Sequence, residues 1–153
     1  MKETIEKLYS SFAALDAEGM CSCYHEEATF EDPAFGKLNS EQAKSMWKML
    51  ISSQKGKEFI VTYSDIEASD SSGTAKWEAK YNFSKTGRPV HNKIESSFEF
   101  KDGLIIKHVD QFNLHSWAKQ ALGGSGAILG WTGFFKKKLQ AQTNSLLRKF
   151  MEK

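Results

Sequence analysis

The sequence predicts an α+β fold, with helices in the first third of the chain and a meander of strands after them. Apolar residues recur at helical spacing up to about residue 50 and at alternate positions from residue 58 onward. The alternating segments are separated by the turn sequences ASDSSG, KTGRP and KDG. Connections this short join antiparallel neighbours, so the helices are expected on one face of a curved antiparallel sheet.

The composition is that of a single globular domain. The chain has 153 residues, of which 40% are hydrophobic and 26% charged, and this length suits one core. The first residues contain no apolar run typical of a signal peptide or a membrane span, so a cytoplasmic location is expected. The only two cysteines, Cys21 and Cys23, are too close in sequence to link distant segments. We expect both to be small core residues.

Three helices are predicted before the long strands. The first covers residues 2–17, and its apolar stripe consists of Ile5, Leu8, Tyr9, Phe12 and Leu15. A short second helix is predicted over residues 19–24. The third begins at Asn39, which is followed three residues later by Gln42, as in a capping box.

Five strands are predicted, over residues 28–32, 58–67, 74–84, 90–100 and 104–114. In the first strand and in the three strands from residue 74 onward, apolar residues occupy one face. In the last strand, the residues expected to point inward are Leu104, Ile106, Phe112 and Leu114. Polar side chains nevertheless interrupt several of these apolar faces, and they are the first indication of a functional site.

Asp32 is the first polar side chain on an apolar face. It points to the same side as Ala28 and Phe30, and Pro33 ends the strand directly after it. Burying an ionised carboxylate without partners is costly. Two alternatives follow. Asp32 either accepts hydrogen bonds from the amides of the turn near Pro33 and Gly36, or it lines a pocket, where it could act in catalysis.

Four more polar residues interrupt the apolar faces of the last two strands. Asn92 and Ser96 lie in the fourth strand, and His108 and Asp110 lie in the fifth. His108 and Asp110 form either a satisfied polar pair in the core or part of a site. In a site, Asp110 would orient His108, and the imidazole would exchange protons near neutral pH. Asn92 and Ser96 would then donate hydrogen bonds to the ligand.

Aromatic side chains accompany these polar groups. A cavity lined by aromatics with a few convergent polar groups is the usual form of a small-molecule site. The residues predicted to line it, together with Asn92 and Ser96, are Tyr9, Phe30, Trp47, Trp77, Tyr81 and Phe112. We expect the tryptophans and Tyr81 to be core or pocket wall rather than reactive groups. No metal or cofactor is expected, because the sequence has no glycine-rich phosphate loop, dinucleotide fingerprint or full set of metal ligands.

The last part of the sequence, residues 116–153, is predicted to be a helical extension of the main domain at residues 1–115. Residues 117–153 carry 7 Lys and Arg against 1 acidic residue, whereas the preceding residues carry 14 against 18. The glycine-rich residues 123–130 are predicted to be a flexible connection. The apolar positions of the basic helix after them are Phe135, Leu139, Leu146, Leu147 and Phe150.

This basic amphipathic helix has two interpretations. It suits a peripheral contact with a membrane surface or a partner protein. Alternatively, it packs across the domain or a dimer partner and covers either the mouth of the pocket or the outer face of the sheet. Nucleic-acid binding is not expected, because the chain is nearly neutral and lacks a basic stripe with aromatic platforms.

Three segments resemble the nuclear transport factor 2-like superfamily: LYSSFAALDAEGMCSCYHEEATFEDP, LNSEQAKSMWKML and FEFKDGLIIKHVDQFN. Within it, the chain is similar to the group of SnoaL-like polyketide cyclases and ketosteroid isomerase over about residues 5–114. The resemblance implies a cystatin-like cone, in which the N-terminal helices close over a strongly curved sheet and leave a pocket inside. A homodimer is implied by the resemblance alone.

The resemblance also implies roles for single residues. Asp32, in the motif EDP, lies at the position of the general base of ketosteroid isomerase, which moves a proton between carbons next to a carbonyl. Tyr9 lies within one residue of the oxyanion-binding tyrosine. Ser96 stands where that enzyme has a second acid, so steroid isomerisation by the same three groups is not expected. His108 and Asp110 resemble polar positions that SnoaL-like members use in their last strand.

Two functions from different classes are consistent with the sequence. The first is a cofactor-independent isomerase, cyclase or dehydratase that acts on an apolar carbonyl or polycyclic compound. Asp32 would then carry the proton, assisted by His108 and Asp110. The second is a non-catalytic ligand-binding or protein-interaction module of the same fold.

Overall fold

The computed structural model describes all residues from 1 to 153. The first half of the chain contains α1 (Lys2–Ala13), α2 (Ala17–Cys21), β1 (Tyr24–Asp32), β2 (Gly36–Asn39), α3 (Ser40–Gln54) and β3 (Phe59–Ala68). The second half contains β4 (Ser72–Asn82), β5 (Pro89–Lys101), β6 (Leu104–Gln111), α4 (Leu114–Leu122), α5 (Gly124–Leu129) and α6 (Gly133–Met151). The α+β class predicted from the sequence is confirmed.

All six strands belong to one sheet with the order β2-β1-β6-β5-β4-β3. The strands β3 to β6 are antiparallel to their neighbours in sequence, as the short turns predict. The strand β1 pairs with β6 in the parallel direction. Three of the pairings contain a register shift, and such irregularities bend a sheet. The helices α1 and α3 pack on the resulting concave face.

Local sequence signals position α3 as predicted. The Asn39 side chain accepts a hydrogen bond from the Gln42 amide, and the Gln42 side chain accepts one from the Asn39 amide, both at 2.9 Å. The helix then buries Trp47 beneath the sheet, where its ring lies 5.5 Å from the ring of Phe30 in β1. The capping box therefore sets the start of α3 and, with it, the position of Trp47 in the interior.

The inward face of β6 differs from the prediction. Ile105 is fully buried, whereas Leu104 and Ile106 are only half-buried. A bulge in the pairing of β5 with β6 shifts the alternation by one residue at this point. Beyond the bulge, His108 and Asp110 face the interior as predicted.

Three further boundaries correct the sequence prediction. Leu114 is the first residue of α4 rather than an inward strand residue, because the Asn113 side chain caps that helix by accepting from the Ser116 amide at 2.9 Å. Residues 123–130, predicted to be a flexible connection, contain the short helix α5. The second helix ends at Cys21, so Tyr24 begins β1 instead of ending a helix.

Most of the core lies between α1, α3 and the sheet and forms one cluster of 24 buried apolar residues. Cys21 and Cys23 are buried and unpaired, as predicted, and burial raises the pKa of the Cys23 thiol to about 11. A smaller apolar cluster around Trp117 holds α4 against β5. Side chains therefore fill the interior next to α1. Beside α3 the interior is not filled.

The C-terminal helix α6 lies across this open side. Gln140, Thr143 and Asn144 donate hydrogen bonds to the backbone carbonyls of residues 33, 34 and 35 at 3.1, 2.8 and 2.8 Å, respectively. These three carbonyls belong to the β1–β2 turn (residues 33–35), which directly follows Asp32. None of the helices combines the length and apolar composition needed to cross a bilayer.

Candidate functional site

A cavity of about 640 Å³ lies between the concave face of the sheet, α3 and α6. Thirty residues line it, and 18 of them are hydrophobic, so the wall is mainly apolar. Its size falls within the range of small-molecule sites. The polar groups in this wall determine what chemistry the cavity can support.

The structure separates the predicted site residues into two groups. Seven of them line the cavity: Asp32, Trp47, Trp77, Tyr81, Asn92, Asp110 and Phe112. The other four are buried behind its wall: Tyr9, Phe30, Ser96 and His108. For His108 the placement agrees with the first of the two alternatives, a satisfied polar group in the core, because its side chain has no exposed surface. Any influence of His108 on a ligand passes through Asp110.

Asp32 combines the two alternatives considered for it. Its Oδ1 accepts hydrogen bonds from the backbone amides of Ala34 at 3.0 Å and Phe35 at 2.7 Å. Its Oδ2 has no hydrogen-bond partner in the protein, and the side chain lines the cavity. Burial raises the pKa of this carboxyl to about 7, although the two amides act in the opposite direction. Asp32 therefore caps the turn and also titrates near neutral pH.

Asp110 is held from behind by two donors. Its Oδ1 lies 2.7 Å from His108 Nε2, and it accepts a hydrogen bond from Ser96 Oγ at 2.5 Å. Its Oδ2 has no partner in the protein, and the side chain lines the cavity. The two donors fix the orientation of the carboxylate and leave one oxygen for a ligand.

The hydrogen bonds of Trp47 and Tyr24 show which ring nitrogen of His108 carries the proton. Trp47 Nε1 can only donate, and it does so to Tyr24 Oη at 2.9 Å. Tyr24 in turn lies 2.8 Å from His108 Nδ1. Because the tyrosine hydroxyl then has its own proton to donate, Nδ1 is the acceptor and Nε2 carries the proton that points at Asp110. Burial raises the pKa of Tyr24 well above its usual value, so this donor stays protonated.

Ser96 connects a second branch of the same network to Asp110. Its Oγ lies 2.6 Å from Tyr9 Oη and accepts from Trp77 Nε1 at 3.0 Å. Since Ser96 gives its own proton to Asp110, Tyr9 is the donor in the first of these bonds. All buried polar side-chain atoms in the protein have a partner. Ser96 and Tyr9 are thus supports for the carboxylate rather than parts of the cavity wall.

Asp32 and Asp110 lie next to each other at the same end of two paired strands. The parallel register of β1 and β6 pairs Phe30 with His108 and Glu31 with Val109. The next residues on the two strands are Asp32 and Asp110, on the same face. The charge of Asp110 adds to the effect of burial in raising the pKa of Asp32. The floor of the cavity therefore carries two adjacent carboxyl groups, each with one free oxygen.

Two more polar side chains of the wall have unused hydrogen-bonding capacity. Tyr81 Oη accepts from Trp117 Nε1 at 2.9 Å and keeps its own proton available. Asn92 makes no side-chain hydrogen bond, although it lines the cavity. Asn92 stands opposite Ala79, two residues from Tyr81, in the pairing of β4 with β5. Both side chains can bind an oxygen atom of a ligand.

Sequence reasoning missed several residues of the site. Tyr24 was not recognised as a strand residue, because the charged residue Glu26 interrupts the apolar alternation between Ala28 and Tyr24. The apolar residues Leu139 and Phe150 of α6 line the cavity, in agreement with the interpretation that this helix packs across the domain. No group of three or more His, Cys, Asp or Glu side chains is placed to hold a metal ion.

The fold and the cavity define the class of protein, an α+β cone of the nuclear transport factor 2-like type with an internal cavity. The chain belongs to the SnoaL-like domain family, whose family model matches residues 5–108. This result confirms the resemblance noted in the sequence. No curated protein sequence matches the chain.

Solved structures share the fold at low sequence identity. An LEH-like epoxide hydrolase from M. tuberculosis is 16% identical, with 83% of this chain and 92% of that chain covered and a TM-score of 0.62. IdmH from Streptomyces antibioticus, a proposed polyketide cyclase, is 19% identical, with 77% and 95% covered and a TM-score of 0.62. TerC, crystallised with polyporic acid, is 15% identical, with 77% and 95% covered and a TM-score of 0.63.

Proposed function

We propose that the protein is an enzyme that transfers protons within an apolar small molecule without a cofactor. The observation that carries this proposal is the pair of adjacent carboxyl groups, Asp32 and Asp110, on the floor of an otherwise apolar cavity. Two neighbouring carboxyl groups in a desolvated site do not ionise together readily. One of them can therefore accept a proton while the other donates one.

The hydrogen bonds of the two carboxyl groups suggest how the roles are divided. Oδ1 of Asp110 accepts from both His108 and Ser96, and we assign Asp110 as the base. Asp32, with its pKa raised to about 7 by burial, is available as the acid at and below neutral pH. The assignment refines the sequence-based hypothesis, in which Asp32 was the base and His108 an assisting group. His108 is now a positioning residue.

The apolar wall and the free donors support a substrate that is largely apolar and carries an oxygen atom. Proton removal from a carbon beside a carbonyl, with proton delivery elsewhere, produces isomerisation, cyclisation or loss of water. Tyr81 and Asn92 would hold an oxygen of such a substrate. The neighbours described as an epoxide hydrolase and a proposed polyketide cyclase support a small organic substrate of this kind.

Deuterium exchange tests the proposal and does not require the product to be identified. A panel of apolar ketones, hydroxyketones and polycyclic aromatics is incubated with the protein in D₂O, and deuterium incorporation is followed by mass spectrometry. We expect the protein to accelerate exchange in at least one compound class. Asp110→Asn and Asp32→Asn should each reduce that rate by about 100-fold or more.

The matched control for this assay is Glu31→Gln, which removes a carboxylate next to Asp32 in sequence but on the other face of β1. It should retain the exchange rate. Equal rates in Asp110→Asn and the unmodified protein would contradict the proposal. Exchange of no compound in the panel, with ligands bound, would favour the alternative function below.

A specific observation favours the alternative, a non-catalytic binding module. Oδ1 of Asp32 already has a structural task, since it binds two amides of the β1–β2 turn. In a binding module, Asp32→Asn would leave ligand affinity intact, because the asparagine oxygen can accept from the same amides and keep the turn in place. A thermal-shift screen with the same compounds identifies ligands for both cases.

A further inference from the structure

Three lysines stand at the rim of the cavity. Lys85 lies in the turn between β4 and β5, and Lys149 and Lys153 lie in and just beyond the last turn of α6. All three side chains are exposed and all three line the cavity. The turn and the end of α6 come from segments far apart in sequence. The fold therefore brings positive charge from two distant segments to the lining of one cavity.

None of these three lysines forms an ion pair with a carboxylate side chain of the protein. The lysines that form ion pairs with carboxylates are Lys48, Lys76, Lys101 and Lys107, all outside the cavity. The only acidic side chains that line the cavity are Asp32 and Asp110, at its floor. The cavity is thus polarised, with carboxyl groups at the inner end, an apolar wall between and unpaired ammonium groups at the outer end.

The carboxyl groups at the floor and the lysines at the rim favour one orientation of a bound anionic ligand. An anionic group at the floor would meet the carboxylate of Asp110, which is unfavourable in a desolvated site. The same group at the rim would meet three cations that keep their hydration and their mobility. An apolar ligand with an anionic end can therefore place its apolar part against the wall and its charge at the lysines.

We propose that the natural ligand is an apolar molecule with a carboxylate at one end, bound with the carboxylate between Lys85, Lys149 and Lys153. This inference rests on the proposed function, since the apolar end is the part that reaches Asp32 and Asp110. It adds a selection rule, which is that acidic members of a compound series bind more tightly than neutral ones.

Pyrenebutyrate and pyrenebutanol test this rule, because they share the polycyclic body and differ in the charged end. Binding is followed by pyrene fluorescence at low and at high salt. At low salt we expect pyrenebutyrate to bind about tenfold more tightly than pyrenebutanol. Three weak ion pairs with exposed lysines account for a difference of this size. The advantage should shrink at high salt, because exposed charges are screened. Pyrenebutanol should show little dependence on salt.

Two triple variants separate a local effect from general attraction. Lys85→Gln, Lys149→Gln and Lys153→Gln together should remove the preference for pyrenebutyrate and change the affinity for pyrenebutanol less than about twofold. Lys136→Gln, Lys137→Gln and Lys138→Gln change the net charge equally at exposed positions of α6 outside the cavity, and they should retain the preference.

The outcomes distinguish this inference from the proposed function. Equal affinity for the acid and the alcohol in the unmodified protein would overturn the inference and leave the cavity as a site for apolar ligands. Loss of the preference in both triple variants would overturn it as well, because the attraction would then be general. Binding of neither compound would count against the proposed function itself.

Discussion

His108 donates a hydrogen bond from Nε2 to the carboxylate of Asp110 at 2.7 Å, and the two side chains are 0% and 3% exposed. Only Asp110 lines the cavity. His108 is therefore the inner residue, which holds the carboxylate in place, and Asp110 is the outer residue, which can contact a ligand. The same residues therefore contribute both to folding and to the candidate site.

Replacing His108 by alanine should destabilise the fold by about 3 kcal/mol. The change leaves the hydroxyl of Tyr24 and the buried carboxylate of Asp110 each without one partner, and unpaired buried groups are costly. Urea denaturation measures the effect. The control is His91→Ala, which breaks a half-exposed pair with Glu78 and should cost less than about 1 kcal/mol. Equal losses in the two variants would contradict the role of the buried network.

The two buried tyrosines should differ in their contribution to stability. Tyr24→Phe leaves both Trp47 Nε1 and His108 Nδ1 without a partner, so we expect a loss of about 2 kcal/mol or more. Tyr9→Phe removes one of three partners of Ser96 and should cost about 1 kcal/mol. Denaturation of both variants under identical conditions gives the order, and a larger loss for Tyr9→Phe would contradict the network described here.

Asp32 should make the protein less stable as the pH rises towards neutrality. Burial raises the pKa of its carboxyl from the ordinary value of 3.8 to about 7. Between these values the folded protein holds a proton that the unfolded chain has lost, so stability falls with pH by up to about 1.4 kcal/mol per pH unit. Below the lower value both states are protonated, and above pH 7 the loss is complete.

Asp32→Asn removes this titration and keeps an oxygen that can accept from Ala34 and Phe35. The variant should show a flatter dependence of stability on pH between about pH 4 and 7. Denaturation curves at intervals across this window make the comparison. Parallel pH profiles for the variant and the unmodified protein would show that the carboxyl of Asp32 is not desolvated.

Much of the fold could be predicted from the sequence, because the relevant signals are local. Alternation and short turns predicted four of the six strands as an antiparallel meander, and the capping box of Asn39 predicted the start of α3. The strand β2 was missed because its four residues, GKLN, are too few for their alternation to be distinguished from a turn. The inward position of Ile105 was missed because a bulge depends on the partner strand.

The candidate site could be predicted only in part. Asp32 and Asp110 were found because each interrupts an apolar face. Their adjacency follows from the parallel pairing of β1 with β6, and strands so far apart in sequence give no local sign of pairing. For the same reason, the sequence does not indicate that Tyr24 stands between Trp47 and His108.

The contacts of α6 with the β1–β2 turn should hold this helix in place. Combining Thr143→Val with Asn144→Ala removes the side-chain bonds to the carbonyls of residues 34 and 35. We expect faster amide hydrogen exchange in α6, because few other polar contacts fix it. Ser145→Ala is the control, since Ser145 makes no side-chain hydrogen bond on the same helix. Unchanged exchange in the double variant would show that apolar packing alone holds α6.

The carboxyl ¹³C titration of Asp32 by NMR tests the central claim most directly. The claim is that Asp32 and Asp110 form a coupled pair on the floor of the cavity. It predicts a midpoint of about 7 for Asp32 in the unmodified protein and a lower midpoint in Asp110→Asn, where the neighbouring charge is gone. A midpoint near 4 for Asp32, unchanged in Asp110→Asn, would contradict the claim and leave Asp32 as a turn cap.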